Sequence, residues 1–365
     1  MINVPKLSVI IPVYNVEKYL AATLDSVVNQ TLRDIEIICV NDGSTDNSLQ
    51  ILQDYAARDS RIVVVNQVNS GQSVARNVGI ALAKSNMIAF MDSDDILDLK
   101  AYKTALSKMT DDIDFVVFGI QTVGGKNPEI QKSDDEYYRI KYSGKTKITT
   151  DVINNTDVSP CNKIFRKSIL KKHNLTFPEG LKFEDAYFFF CYGLLSNYGY
   201  YITDNFYKYI RHEDSTMGQT FSNKVGVSID HLKIAIKFYE YLVQHKMYNR
   251  YELFFWKTFL VYLDLAVRYE HDLSARNEIY KLASDFVAMH PVSVKLDFWA
   301  ERKLKMIKNQ TFEKTKYLFL GLIKITETYN RKKYRFIGLP VYKIKFFSGY
   351  SKHYICGIQY RIKKC

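Results

Sequence analysis

Strands of the fully buried type alternate with amphipathic helical patterns, and they predict an α/β protein on a doubly wound, mostly parallel sheet. Residues 6–15, KLSVIIPVYN, form a near-continuous apolar run ending at Pro12 and Asn15. Such runs are buried on both faces, as in parallel sheets. Further runs at 35–40, 61–65 and 87–90 are separated by short loops and helical patterns, the alternation of a doubly wound sheet with helices on both faces.

Each element has its own signal. A helix is expected over 16–30, with Leu20, Leu24, Val27 and Val28 on one face and Asn15 as its cap. The strand at 35–40 runs into Asn41-Asp42-Gly43-Ser44-Thr45-Asp46, a turn cluster that opens another helix, with Asp46 where a cap belongs. The strand at 61–65 leads to Gly71, Arg76 and Asn77. Residues 121–150 are polar and broken by Gly124, Gly125 and Pro128, so they are expected to leave the sheet. Residues 225–330 carry helical patterns rich in Tyr, Phe and Leu.

The strand at 87–90 ends at Asp92-Ser93-Asp94-Asp95. Three carboxylates in four residues repel one another unless a cation neutralises them. The carboxyl ends of strands in open α/β sheets are where ligands bind. A Mg²⁺ or Mn²⁺ ion carrying a phosphorylated substrate suits such a cluster. The alternative is a solvated turn that caps the next helix. Neither a dinucleotide glycine fingerprint nor a P-loop is present.

Four motifs in order, VIIPVYN at 9–15, NDGSTD at 41–46, Gly71 through Arg76-Asn77, and DSDD at 92–95, resemble glycosyltransferase family 2. The resemblance covers roughly residues 5–215, and it implies the GT-A fold and an inverting transfer from a nucleotide-diphospho-sugar, UDP-linked. It implies that Pro12, Val13, Tyr14 and Glu17 line the nucleotide pocket, although ordinary strand-end packing also explains Tyr14. It implies that Asp42 accepts from the uracil N3–H, while Gly43 lets the backbone pass close to the base. Arg76 would face the base or the phosphates, or else be a surface helix residue. Asp94 would bind the metal directly, Asp92 the ribose or a metal-bound water, with Ser93 between them and Asp95 ordering the loop.

Downstream, Glu184-Asp185 opens an aromatic helix. The resemblance makes Asp185 the general base, supported by Glu184; the alternative is a helix N-terminus suited to acidic residues. Arg211 would meet the leaving diphosphate. His212 would complete the metal shell or be a lone surface histidine. Lys163 would contact donor or acceptor, or support the fold. The family often has Gly-Ser after the Arg, where this chain has His212-Glu213-Asp214-Ser215.

Of 51 Lys+Arg and 39 Asp+Glu, residues 301–365 hold 17 and 3, so the whole excess of charge lies there. Basic residues mixed with Tyr and Phe suit an anionic membrane surface. The same composition suits nucleic acid or a packed cap, but the catalytic motifs favour the membrane over nucleic acid. Five cysteines with no Cys-x-x-Cys read as reduced thiols. The chain enters a strand almost at once, which is not the pattern of a signal peptide.

The expected organisation is a catalytic domain at 1–220, a helical extension at 221–330 and a basic aromatic segment at 331–365. The expected partners are a nucleotide-sugar, a divalent metal (Mn²⁺ or Mg²⁺), a glycan or lipid-linked acceptor, and the cytoplasmic face of a membrane. Two other classes stay open. A nucleotidyltransferase would carry a Gly-rich basic loop after the first strand, where this chain has Pro12-Val13-Tyr14-Asn15. A non-catalytic glycan- or membrane-binding scaffold would have no use for Asp94 and Asp185 together.

Overall fold

The computed structural model describes residues 4–124, 128–212, 228–270 and 272–308, and the backbone of six strands between 313 and 363. The chain divides into two units, Met1–Gln219 and Thr220–Cys365.

The first unit begins with β1 (Leu7–Val13), α1 (Leu20–Val28), β2 (Ile35–Asp42), α2 (Ser48–Arg58), β3 (Ile62–Gln67), α3 (Gln72–Leu82) and β4 (Met87–Phe90). Strands β3, β2, β1 and β4 lie side by side in that order, all parallel. Both β1 and β2 are buried at every position, which explains their unbroken apolar runs. The chain moves outward from β1 to β2 and β3, then crosses back to add β4 on the other side of β1. This is the topological switch point, and it places the loops after β1, β2 and β4 on one sheet edge.

The helix expected from residue 16 starts at Leu20. Asn15 is not its cap. It adopts a left-handed φ of 50°, and its Oδ1 accepts from Thr45 N at 2.8 Å. Its side chain therefore fastens the loop after β1 to the loop after β2.

The unit continues with β5 (Ile96–Leu97), α4 (Ala101–Leu106), β6 (Phe115–Val123), α5 (Pro128–Tyr137), β7 (Gly144–Lys147), α6 (Thr150–Asn154), β8 (Lys163–Arg166), α7 (Lys167–Lys172), α8 (Glu184–Leu195) and β9 (Tyr198–Ile210). Beyond β4 the sheet turns mixed: β8 is antiparallel to both β4 and β6, β9 runs parallel to β6, and β5 and β7 pair antiparallel with β9. Helix α8 docks through an aromatic cluster. The Phe177 and Phe188 rings stack at 4.0 Å, and Phe90 meets them edge-on at 5.3 and 5.8 Å. Phe90 lies two residues before Asp92, and Phe188 lies one turn into the helix that begins with Glu184 and Asp185. One apolar contact thus sets the separation of the two acidic motifs.

In the second unit, helices Ile229–Gln244, Tyr248–Tyr269, Leu273–Met289 and Phe298–Lys308 enclose Phe238, Trp256, Phe259 and Ala283. A buried Lys303–Asp264 ion pair joins the second and fourth of them. Six strands follow, from β10 (Glu313–Leu318) to β15 (Ile358–Lys363), each antiparallel to the next. The last helix among the described residues ends at Lys308, and six strands rather than helices occupy much of the stretch up to and beyond the boundary expected at 330. The reason is a period of two: YKIKF and IQYRIK alternate basic or polar with apolar residues, which suits a strand.

Removal of the aromatic cluster tests the docking of α8. Phe188→Ala is expected to cost about 3–5 kcal/mol, the usual range for a buried Phe, read as a lower urea midpoint with an unchanged slope.

Candidate active site

The four loop motifs converge on the sheet edge, though several residues occupy roles other than those expected. Asp42, at the end of β2, is 3% exposed. Its Oδ1 accepts from Gln67 Nε2 and Ser70 N, and its Oδ2 from Gly71 N, all at 2.8 Å. A carboxylate offers about four acceptor positions, so Gln67 of β3 and the loop before α3 together use three of them. Gly43 does allow a close approach, but to protein: a Cβ there would sit 2.7 Å from Asn69 N. The Glu17 carboxylate receives Asn47 N and Asn47 Nδ2 at 2.9 and 2.7 Å, while Asp46 receives Glu17 N and Ser48 N, both at 3.0 Å. Glu17 and Asp46 brace two loops against each other. Pro12 and Val13 are buried within β1, and Tyr14 stands 48% exposed beyond them.

Arg76 departs most from expectation. It is 3% exposed, and its guanidinium lies between the two acidic motifs rather than in an open pocket. Nη1 donates to Glu184 Oε1 at 2.7 Å and Nη2 to Asp92 Oδ1 at 2.9 Å. The Phe177 ring covers it at 5.2 Å. Burial opposes its charge, and Asp92 and Glu184 more than restore it, so its pKa is raised. The next residue, Asn77, accepts from Phe177 N and donates to Phe177 O, both at 2.9 Å. Together they fasten α3 to the segment that leads into α8.

Asp185 sits at the start of α8, after Phe183, a bulky residue held at φ 65°. That uncommon conformation turns the chain sharply into the helix. Its Oδ1 accepts from Ala186 N at 2.8 Å. Burial and the neighbouring Glu184 charge push the carboxyl up to about 7, against an ordinary 3.8, while Arg76 pulls it down.

After β4, Ser93 is buried, and Asp95 receives Tyr207 Oη at 2.6 Å and Ile210 N at 2.7 Å. Asp95 orders the loop and ties it to β9. Asp94 Oδ2 lies 2.9 Å from His212 Nε2, and the His212 ring stacks on Tyr19 at 4.2 Å. Burial and then Asp92 raise the Asp94 pKa, and His212 lowers it. Among the described residues no group of three His, Cys, Asp or Glu forms a complete metal cage. The Asp94 carboxylate nevertheless fits Mg²⁺ or Mn²⁺, which take one or two carboxylates and complete their shells with water and phosphate, whereas the His212 imidazole beside it is a nitrogen donor that Mg²⁺ does not favour. Asp92 Oδ1 is already committed to Arg76.

Arg211 Nε pairs with Asp134 of α5. Lys163 is fully buried, donating to Asp157 Oδ1 at 2.9 Å and Ser159 O at 2.6 Å. Its role is support of the 157–162 segment.

Residues 8–173 match the model of glycosyl transferase family 2. This part of the chain belongs to that family. EpsH of Bacillus subtilis (strain 168), named as a glycosyltransferase, is 31% identical over 234 residues, 60% of this chain and 65% of EpsH. The poly(ribitol-phosphate) beta-glucosyltransferase of Bacillus spizizenii is 35% identical over 184 residues, 48% of this chain and 27% of that one. The alignments thus span about two thirds of EpsH and about a quarter of the second relative. The fold is GT-A: S. aureus TarS 1–349, solved with UDP-GlcNAc, superposes with a TM-score of 0.65 at 23% identity, over 84% of this chain and 88% of that one.

In the glycosyltransferase domain, removal of Arg76 should leave Glu184 buried without its cation. Arg76→Met is expected to cost about 3–5 kcal/mol, the range for breaking a buried pair from one side. Arg76→Lys should recover only part, because one ammonium cannot reproduce two fork contacts. Denaturant unfolding of both variants decides this.

Proposed function

We propose that the chain is an inverting, metal-dependent glycosyltransferase that moves a sugar from a nucleotide-diphospho-sugar, UDP-linked, to a hydroxyl of a growing cell-surface glycan. One observation carries the reading: Arg76 joins the acidic motif after β4 to the Glu184-Asp185 pair, so a donor-side carboxylate and a carboxyl near 7 share one rigid frame. A general base works best with a pKa near the operating pH. Asp185 would take the proton of the accepting hydroxyl as its oxygen attacks the anomeric carbon. Glu184, held by Arg76, keeps the start of α8 in place. Asp94 and His212 would hold the metal, which supplies positive charge to the diphosphate.

Pro12, Val13, Tyr14, Asp42 and Ser93 would form the nucleotide side of the pocket, and Arg211 would reach the diphosphate only by releasing Asp134. The name of TarS's partner, UDP-GlcNAc, supports a UDP-sugar. The name of the Bacillus spizizenii relative, a poly(ribitol-phosphate) glucosyltransferase, supports a polymer as acceptor. Hydrolysis of a panel of nucleotide-sugars with Mn²⁺ or Mg²⁺ tests the donor.

Asp185→Asn should keep donor binding and lower transfer by about 10²–10⁴, the usual worth of general base catalysis. Wild-type transfer should rise with pH up to about 7 and then level, and the variant should lose that rise. Stability gives a second readout. The folded chain holds the Asp185 proton more tightly than the unfolded chain, so this group destabilises the fold as pH climbs from 3.8 towards about 7. The Asn variant should therefore gain stability over wild type at pH 8 and lose that advantage near pH 4.

The C-terminal sheet supports peripheral attachment to the cytoplasmic face of a membrane. Arg331, Lys345, Lys352 and Arg361 occupy directly opposed positions on four neighbouring strands. Such a row suits a plane of anionic headgroups. No helix among the described residues is long and apolar enough to cross a membrane. Each cation contributes about 1 kcal/mol near an anionic surface, so the double reversal Lys345→Glu with Lys352→Glu should weaken vesicle co-sedimentation by about tenfold or more. Added salt should weaken the wild type in the same direction.

A further inference from the structure

Strands β6 and β9 run parallel but do not stay in step. Phe118 pairs with Ile202, Gly119 with Asn205 and Ile120 with Tyr207, so Thr203 and Asp204, and then Phe206, fall out of register in β9. Only glycine fits at 119: a Cβ there would lie 2.2 Å from Asn205 Oδ1 and 3.0 Å from Asp204 O. Bulges re-aim side chains and cluster near active sites. This one opens a depression of about 370 Å³ between the sheet and the end of α5.

Gln121, Thr203 and Asn205 line it from the strands, and Asp135, Tyr138 and Arg139 from the α5 side. Ile120 and Ile140 supply apolar floor. The polar side chains of Gln121, Asp135, Arg139 and Thr203 are not consumed by the fold: no hydrogen bond or ion pair to the described protein engages them. One acid and one base balance, leaving a neutral lining of hydrogen-bonding groups around an aromatic ring. The volume lies at the small end of ligand sites, which run about 300–1,000 Å³. It suits one sugar ring and is tight for a nucleotide. A pyranose offers hydroxyls to such amides and charges and a C–H face to such a ring.

The depression lies beside the end of β9 that meets the loop after β4. The Tyr138 ring lies 6.1 Å from Tyr209, and the next residue of β9, Ile210, donates its N–H to Asp95 Oδ1 at 2.7 Å. The Arg211–Asp134 pair anchors α5 to the end of β9, beside Asp135.

We propose that this depression is a subsite for a neutral monosaccharide unit, the sugar of the acceptor chain that flanks the accepting residue. The proposal rests on the glycosyl-transfer reading for which sugar enters, and on the cavity alone for its chemistry. The test is saturation-transfer NMR on the full chain with methyl glycosides of glucose, galactose, mannose and N-acetylglucosamine. At least one should bind at millimolar concentration. Thr203→Tyr, which fills the depression, and Gln121→Ala, an exposed change that leaves the fold alone, should each weaken it at least about fivefold. Lys172→Ala, outside the lining, should not. No binding by any glycoside, equal binding by both lining variants, or displacement by inorganic phosphate would overturn the proposal; the last would mark an anion site. UDP titrated into the wild-type chain reports separately on the donor reading, so either failure is recognisable without the other.

Discussion

The candidate site depends on one buried cation. Arg76 comes from α3, Asp92 from the loop after β4, and Glu184 from the start of α8. Two carboxylates drawn together beside Asp185 would repel one another and lose hydration. A permanently charged, five-donor fork offsets both costs and fixes their spacing. An ammonium would neutralise charge without setting geometry. Without the cation, the acids of the DSDD motif and of α8 would have no reason to stay close, whatever the sheet did.

The sheet brings the partners into range and the aromatics hold them there. The switch point at β1 puts the loops after β1, β2 and β4 on one edge. Asn15, Glu17 and Asp46 then lace those loops together with short polar contacts. The stack of Phe177 on Phe188, with Phe90 across them, sets how deep α8 sits. Residues that look like ligand contacts in a motif are here largely the frame: Asp42 spends most of its acceptor capacity on Gln67 and the loop before α3, and Asp95 on β9. Less of the motif faces open space: Tyr14 stands out into solvent, and the Asp92 and Asp94 side chains keep 32% and 24% exposure.

This division shapes how variants read. Loss of Arg76 or Asp95 strikes stability first, whereas loss of Asp185 would, under the proposed mechanism, strike proton transfer and, above pH 7, relieve the fold. A carboxyl raised to about 7 is itself a cost that the chain carries at neutral pH. Its persistence beside a strained Phe183 suits a site in which local strain is tolerated because the surroundings over-determine it.

The amino-acid sequence by itself determined the strand-helix alternation, the parallel sheet and the order of the acidic motifs. These follow from local patterns: apolar runs of strand length, turn clusters, and carboxylates at strand ends. It also located the basic excess beyond residue 300, though Lys-rich alternating strands read as a tail, because long basic side chains obscure the period of two. Only the tertiary structure decided the role of Arg76. Its partners lie 16 and 108 residues away, and no spacing in the chain encodes a salt bridge between a helix interior and a helix start. The same holds for Asn15, read as a cap and found as a loop clasp, and for the depression beside Gly119, which exists because two strands slip out of step. Pairwise distances across a fold arise from packing, and packing is a property of the whole unit rather than of any segment of it.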